Sequence, residues 1–503
     1  MAPGNSIGTI TVNGNLTFDP GSTYQVEVAG TTADRTNVTG SATLLGGTTQ
    51  ALFAPGTFTR RYTILSAAGG LNGTFQNLTA AGLPGFLTPS LGYSATDVTL
   101  NLQSAMTATS GLAGNALSVA RTLDTAFNAG PGLGNMPALF GLSAGQLPAA
   151  LELLSGDNAS VAQSMAITTG GQFTALLANR ATTRRAEEQS AWLAGCATPA
   201  ATACDAADEP RNGPRNWSAW GTAFGGAQWL NADPVTGSNA AQQTIGGGAF
   251  GGDYRVGPQT LLGVAVGLSD SNYWVGATGA NGRATGVHVG LYGQHDWQSV
   301  YVNAALAYSR FDGSAIRPIN GIGTSETAKS YAISSQLAGR IEVGRPFEVA
   351  QFEGGALGLT PFAAVQPAVL WTPGISESSV TASGAPGVFA LNYQAQSTGS
   401  LPTFLGVQLD VRTELQSRPL TGWLRASWVH EFLTSRSVTA GFTVLPGSNF
   451  TVDGARAASD AARFDFGLKY AVGSQTSLFA NGNVELSNRG QSLAGTVGLR
   501  IVW

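Results

Sequence analysis

The sequence predicts an all-β protein with a helical linker: a short β-solenoid followed by an antiparallel transmembrane β-barrel of about twelve strands. Three observations carry this expectation. From Trp217 onward, apolar residues recur at every second position in one long run after another. The connections between those runs alternate between short turns and long polar loops. And the chain ends on TVGLRIVW, in which Val497, Leu499, Ile501 and Trp503 form one apolar row and Arg500 sits on the other.

Composition fits a chain that meets lipid through strands. Charged residues are 11% of the 503, glycines number 68, and lysine is confined to Lys329 and Lys469. Mean hydropathy is nevertheless only +0.07. Small and polar residues have replaced the charges, as alternation between a lipid face and a wet face requires. No stretch reaches the roughly 20 apolar residues of a membrane helix. A net charge of -4 leaves no basic footprint for nucleic acid. The start, MAPGNSIGTI, has neither a basic nor an apolar leader region, so an exported protein must have lost its signal here, by truncation or a misplaced start codon.

Residues 1–105 are short β-prone runs broken by Gly and Asn, among them GTITVNGNLTFDPGSTYQVEV and RYTILSAAGGLNGTF. Turns at that density suggest a sandwich or solenoid coils, although no strict period emerges. Residues 106–215 change character. GNALSVARTLDTAF and AGQLPAALELL carry Leu and Ala at helical spacing, and about 158–195 reads as one long helix dented by Gly170 and Gly171. That helix is rich in small residues and only moderately amphipathic, so it belongs inside something.

In residues 216–503 the period is two. Leu405, Val407, Leu409 and Val411 alternate with Gln408, Asp410, Arg412 and Glu414; Phe464, Phe466 and Leu468 alternate with Arg463, Asp465 and Lys469. Val287, Val289 and Leu291 likewise oppose His288, Tyr292 and Gln294. Twelve such strands are expected, near 216–230, 243–256, 260–273, 283–296, 299–313, 326–343, 358–372, 403–416, 420–434, 460–472, 476–487 and 493–503. Short turns fall at VGPQ, DWQS, QSRPL and VGSQ; long loops fall at 231–242, 274–282, 314–325, 373–402 and 435–459. Two connections break the rule, a long turn near 344–357 and a short last loop, NRGQS. Trp217, Trp229, Trp274, Trp297, Trp371, Trp423 and Trp503 lie near strand ends, as interfacial girdles would. A chain of about twelve strands can close as a monomer in outer-membrane lipid.

In this order the parts resemble the C-terminal portion of a classical, type Va autotransporter. The last eight residues, with Thr496, Gly498, Ile501 and Trp503, resemble the terminal β-signal read by the barrel-assembly machinery. LPAALELLSGDNAS looks like the segment before the family's pore helix, and GGGAFGGDYRVGPQTLLGVAVG like its second and third barrel strands. IGTITVNGNLTFDPGSTYQVEVAG looks like the last rungs of a passenger β-helix, of which 1–105 would be a remnant. The resemblance implies a helix in the lumen, an outer-membrane location in a diderm bacterium, escort by periplasmic chaperones, and export of the N-terminal passenger to the cell surface (type V secretion). Alternatives are a surface enzyme or adhesin whose active passenger lies outside this chain, or a porin-like channel. The paired asparagines that some members cleave are not matched: Asn179 has no Asn neighbour.

Chemistry-bearing motifs are sparse. GLSAG at 141–145 has the spacing of a hydrolase nucleophile elbow, but it joins two helical stretches, and His288, His295 and His430 belong to barrel strands; catalysis by Ser143 is not expected. Cys196 and Cys204 have no further metal ligands nearby, so they form either a small disulfide loop, which an oxidising periplasm favours, or two free thiols. No nucleotide loop appears in a suitable context, and no metal, cofactor or enzymatic activity is expected.

Overall fold

The computed structural model describes all residues except 5, 131, 197–215 and 354, and gives the backbone alone for 181–196. Residues 9–81 wind as parallel coils with three faces. Thr9–Val12 pairs with Arg35–Val38 and that with Arg61–Ala67. Thr23–Ala29 pairs with Thr48–Phe53 and that with Asn77–Ala81. On the third face Leu16 pairs with Ala42 and Ala42 with Leu71, offsets of 26 and 29 residues. That unequal coil length is why no fixed period is visible in the sequence. Inside the coils Phe18, Tyr24 and Phe75 form a ring cluster with centroids 5.1–5.8 Å apart. The last two strands, Leu87–Tyr93 and Asp97–Ser104, turn antiparallel and finish the solenoid.

Helix α1 (Gly114–Ala129) and helix α2 (Leu147–Ser155) follow, packed on each other. Leu123, Phe127, Leu151 and Leu154 share one apolar core with solenoid residues and with loop residues Phe389, Leu391, Phe442 and Phe450. Loops 373–402 and 435–459 are therefore not simply polar. They hold a four-stranded sheet built from Ile375–Ser376, Leu391–Tyr393, Ser437–Phe442 and Asn449–Asp453. Helix α3 runs unbroken over Asn158–Cys196, through the glycine pair that the sequence marks as a dent.

Among the described residues, twelve long antiparallel strands close a barrel. Trp217–Leu230 pairs on one side with Ala241–Gly257 and on the other with the final strand, Gly490–Val502. Closure leaves neither the first strand nor the last as an open edge to lipid. The seventh strand departs from regularity. It runs Gly355–Val365, breaks at Gln366–Pro367, and resumes as Ala368–Thr372. The long turn before it holds a strand, Phe347–Phe352, paired back onto Gly355–Val365.

Side-chain parity is inside out relative to a water-soluble sheet. Leu262, Val264, Val266 and Leu268 on the third strand, and Val497, Leu499 and Ile501 on the last, are exposed, whereas Arg425, Asp465 and Arg500 are buried. Arg or Lys on the outer row near the bilayer midplane would cost roughly 2–4 kcal/mol. Outward-facing charge begins only towards the far ends of the strands, at Asp270, Arg283, Arg310 and Asp312. Most of the tryptophans expected in girdles are exposed; Trp423 is the exception. It lies opposite Asp410 and Gly467 and shares the parity of buried Arg425, so it belongs to the lumen row.

Candidate functional site: the helix-filled lumen

Helix α3 lines the lumen on one side. Its first turns pack Val161, Met165 and Ile167 against Tyr273, Val275, Phe311 and Leu370; further on, Phe173 and Leu177 meet Trp220, Phe224 and Tyr292. The helix thus descends from the loop-bearing rim towards the turn-bearing rim. Its glycines mark where the wall comes closest. A Cβ on Gly170 would lie 2.0 Å from Gln336 Oε1. Gln336 Nε2 donates to the Ile167 carbonyl at 3.4 Å, and Gln366 Nε2 donates to that of Gly171 at 3.3 Å. Wall glutamines hold a helix too small-sided to be held by apolar packing alone.

Lower down, Arg180 and Asp253 form a buried ion pair at 3.3 Å. Asp253 also accepts from Ser218 Oγ, and from the Tyr292 hydroxyl at 3.1 Å. Tyr292 in turn accepts from Trp220 Nε1 at 2.7 Å. The opposite wall stands off from the helix. A cavity of about 270 Å³ separates α3 residues Gln172, Ala175 and Asn179 from Arg463, Asp465 and Glu485 on the tenth and eleventh strands. Nearby, Arg425 grips Glu342 through two bonds of 3.0 and 3.1 Å, with Arg340 on the same carboxylate at 2.8 Å. Such buried charges require mutual pairing.

At the outer mouth the corner between α2 and α3 is locked. Arg317 donates to Glu377 at 2.5 Å, to the Leu153 carbonyl at 3.0 Å and to that of Phe389 at 2.8 Å. Asn239 Nδ2 bridges Glu152 at 2.9 Å and Asp157 at 2.8 Å. Burial, with the Asp157 carboxylate alongside, pushes the Glu152 carboxyl up to about 8. Burial raises Asp157 too. Asp233 shows the opposite balance: bonded by Arg456 at 2.8 Å and Arg489 at 2.9 Å, it is held down to about 2.

The residues of the last strand fall as follows. Thr496 Oγ1 accepts from Asn481 Nδ2 at 3.1 Å. Gly498 lies against the Phe479 ring, where a Cβ would come within 2.4 Å. Ile501 and Trp503 are exposed on the outer row, and Trp503 exchanges backbone bonds with Trp217 at 3.1 and 3.3 Å. Cys196 and Cys204 lie outside the residues whose side chains are described. Ser143 Oγ donates to Gln146 Oε1 at 2.8 Å, a local contact just before α2. His288 hydrogen-bonds Ser269 and Ser309, each at 2.8 Å, within the barrel. Sequence reasoning missed Arg180, Asp253, Gln336, Arg317 and Glu377. Arg180, a charge in a helix destined for a lumen, was the signal available.

A strand barrel with apolar rows outside, charges inside and a helix through its pore is an outer-membrane protein. The Autotransporter beta-domain family matches residues 219–483, more than half of the chain, and the chain belongs to that family. It is an outer-membrane translocator of type V secretion, with its N-terminal part at the cell surface. The family is not a family of enzymes. Among solved structures, the β-domain of the Bordetella autotransporter BrkA is 19% identical, over 57% of this chain and 99% of that one, with a TM-score of 0.41. The translocator domain of NalP from Neisseria meningitidis is 15% identical over 65% and 99%, with a TM-score of 0.42. The transport unit of AIDA-I from Escherichia coli is 12% identical over 63% and 98%, with a TM-score of 0.40. No curated protein matches significantly.

Proposed function

We propose that residues 1–105 are the barrel-proximal end of a passenger, that 106–215 thread it through the pore, and that 216–503 anchor and export it. On this reading the chain itself is not an enzyme and uses no nucleotide energy. Periplasmic chaperones deliver the unfolded barrel, and the barrel-assembly machinery recognises Thr496, Gly498, Ile501 and Trp503 on the last strand. The observation that supports this most is the final strand itself. Its lipid-facing row runs uninterrupted to Trp503, and the strand closes the barrel by pairing with the first from Ser218–Val502 to Leu230–Gly490. A strand that closes the barrel onto the first is where an assembly factor gains most by binding.

Deleting Trp503 or making Ile501→Asp should lower the amount of heat-modifiable barrel in outer-membrane fractions several-fold. Wild-type levels in both variants would refute the assignment of these residues.

A further inference from the structure

Helix α1 carries two asparagines that each bind a peptide group as a strand would. At its start Asn115, 1% exposed, donates from Nδ2 to the Asp453 carbonyl and accepts from the Asp453 N–H, both at 2.8 Å. Asp453 ends the outermost strand of the loop sheet. Near its other end Asn128 makes the same pair with Ser104, again 2.8 Å both ways. Ser104 ends the last solenoid strand, and Asp124 beside it accepts from the Met106 N–H at 2.8 Å and the Thr107 N–H at 3.0 Å. The helix is bolted to the solenoid at one end and to the barrel's loops at the other.

The loop side of this joint rests largely on barrel and loop residues. Glu377 accepts from Arg317 of the fifth strand, and Glu326 of the sixth accepts the Val388 and Phe389 N–H groups at 3.0 and 3.1 Å. Arg436 donates to the Gly399 carbonyl at 3.1 Å and that of Leu433 at 2.7 Å. The solenoid, by contrast, consists of strands of 2–8 residues whose partners lie a coil away, so it pays loop closure before contacts reward it. Stacked repeats need a terminal cap, and α1 supplies it.

We propose that the loop sheet is the landing site for α1 as it emerges from the pore, so that the barrel's own surface loops template the folding of residues 9–104. This rests on the export reading above. The segment nearest the pore reaches the loops first; once α1 is seated, Asn128 and Asp124 hold the end of the last solenoid strand in place, and coils add outward from it.

The test uses the full chain in intact cells: a pulse-chase, with the time at which the N-terminal part resists added protease. Asn115→Leu removes both bonds to Asp453. Gly114→Ala strikes the same joint from another direction, because Gly114 has φ +48° and a Cβ there would sit 2.0 Å from the Thr236 carbonyl oxygen. Both variants should acquire resistance about tenfold more slowly, the scale of two lost hydrogen bonds, and still reach the wild-type end-point. The heat-modifiable barrel band should appear on time. Wild-type rates in both variants overturn the proposal, even if their final heat stability is lower. Failure of the export reading looks different: the parent chain itself would show no protease-accessible N-terminal part on cells.

Discussion

Arg180 of the lumen helix and Asp253 of the second barrel strand meet at 3.3 Å, with side chains 4% and 0% exposed. Removing one member of such a pair strands the other, at a cost of about 3–5 kcal/mol. Asp253 keeps Ser218 and Tyr292, so the low end of that range is expected for Arg180→Leu. The heated gel-shift midpoint should fall, and single-channel conductance in planar bilayers should rise as the helix loosens. An unchanged midpoint would show that the pair does not hold the helix.

The close approach at Gly170 gives a paired test. Gly170→Val should overpack against Gln336 and cost about 1–3 kcal/mol. Shortening the partner with Gln336→Ala should restore part of that loss. A double variant no better than the sum of the two singles would argue against direct contact.

Removing Arg317 should open the mouth without opening the barrel. Arg317→Met leaves Glu377 buried among Leu391 and Tyr393, again a loss of about 3–5 kcal/mol. Protease should then cut within loop 373–402 while the barrel stays heat-modifiable. Equal resistance of that loop in both proteins would contradict the role given to the pair.

Glu152 makes a pH prediction. Its carboxyl sits at about 8 in the folded protein against an ordinary 4.5, so the folded state holds the proton more tightly. The docked corner is therefore most stable below about pH 4.5 and weakens as pH rises to about 8, beyond which this group adds no further change. Glu152→Gln should flatten that slope, measured as protease resistance of the mouth between pH 5 and 9. A slope identical in parent and variant would assign the pH dependence elsewhere.

Most of the barrel was legible because lipid enforces alternation: rows such as Val264–Val266–Leu268 and Leu405–Val407–Leu409 have one physical explanation over their whole length. The helix was legible as a helix, and its glycine pair as an anomaly, but only the position of Gln336 explains Gly170. The loop sheet was not legible. Its strands are 2–6 residues long, and Leu391 pairs with Phe442, some fifty positions away, so no local pattern announces it. Trp423 misled for a related reason: an aromatic near a strand end reads as girdle unless its register opposite Asp410 is known. The last-strand residues were singled out by resemblance to a terminal β-signal, whereas Arg180–Asp253 and Arg317–Glu377 depend on partners far apart in sequence.

Beside the seated helix lies a cavity of about 270 Å³, room for solvent. An α-helix with side chains is about 10–12 Å across, and α3 occupies the lumen over the turns that pack Val161 to Leu177 against the wall. On the proposed export reading, the helix settles behind the last residue to leave. On that reading its arrival is a full stop for traffic through the doorway.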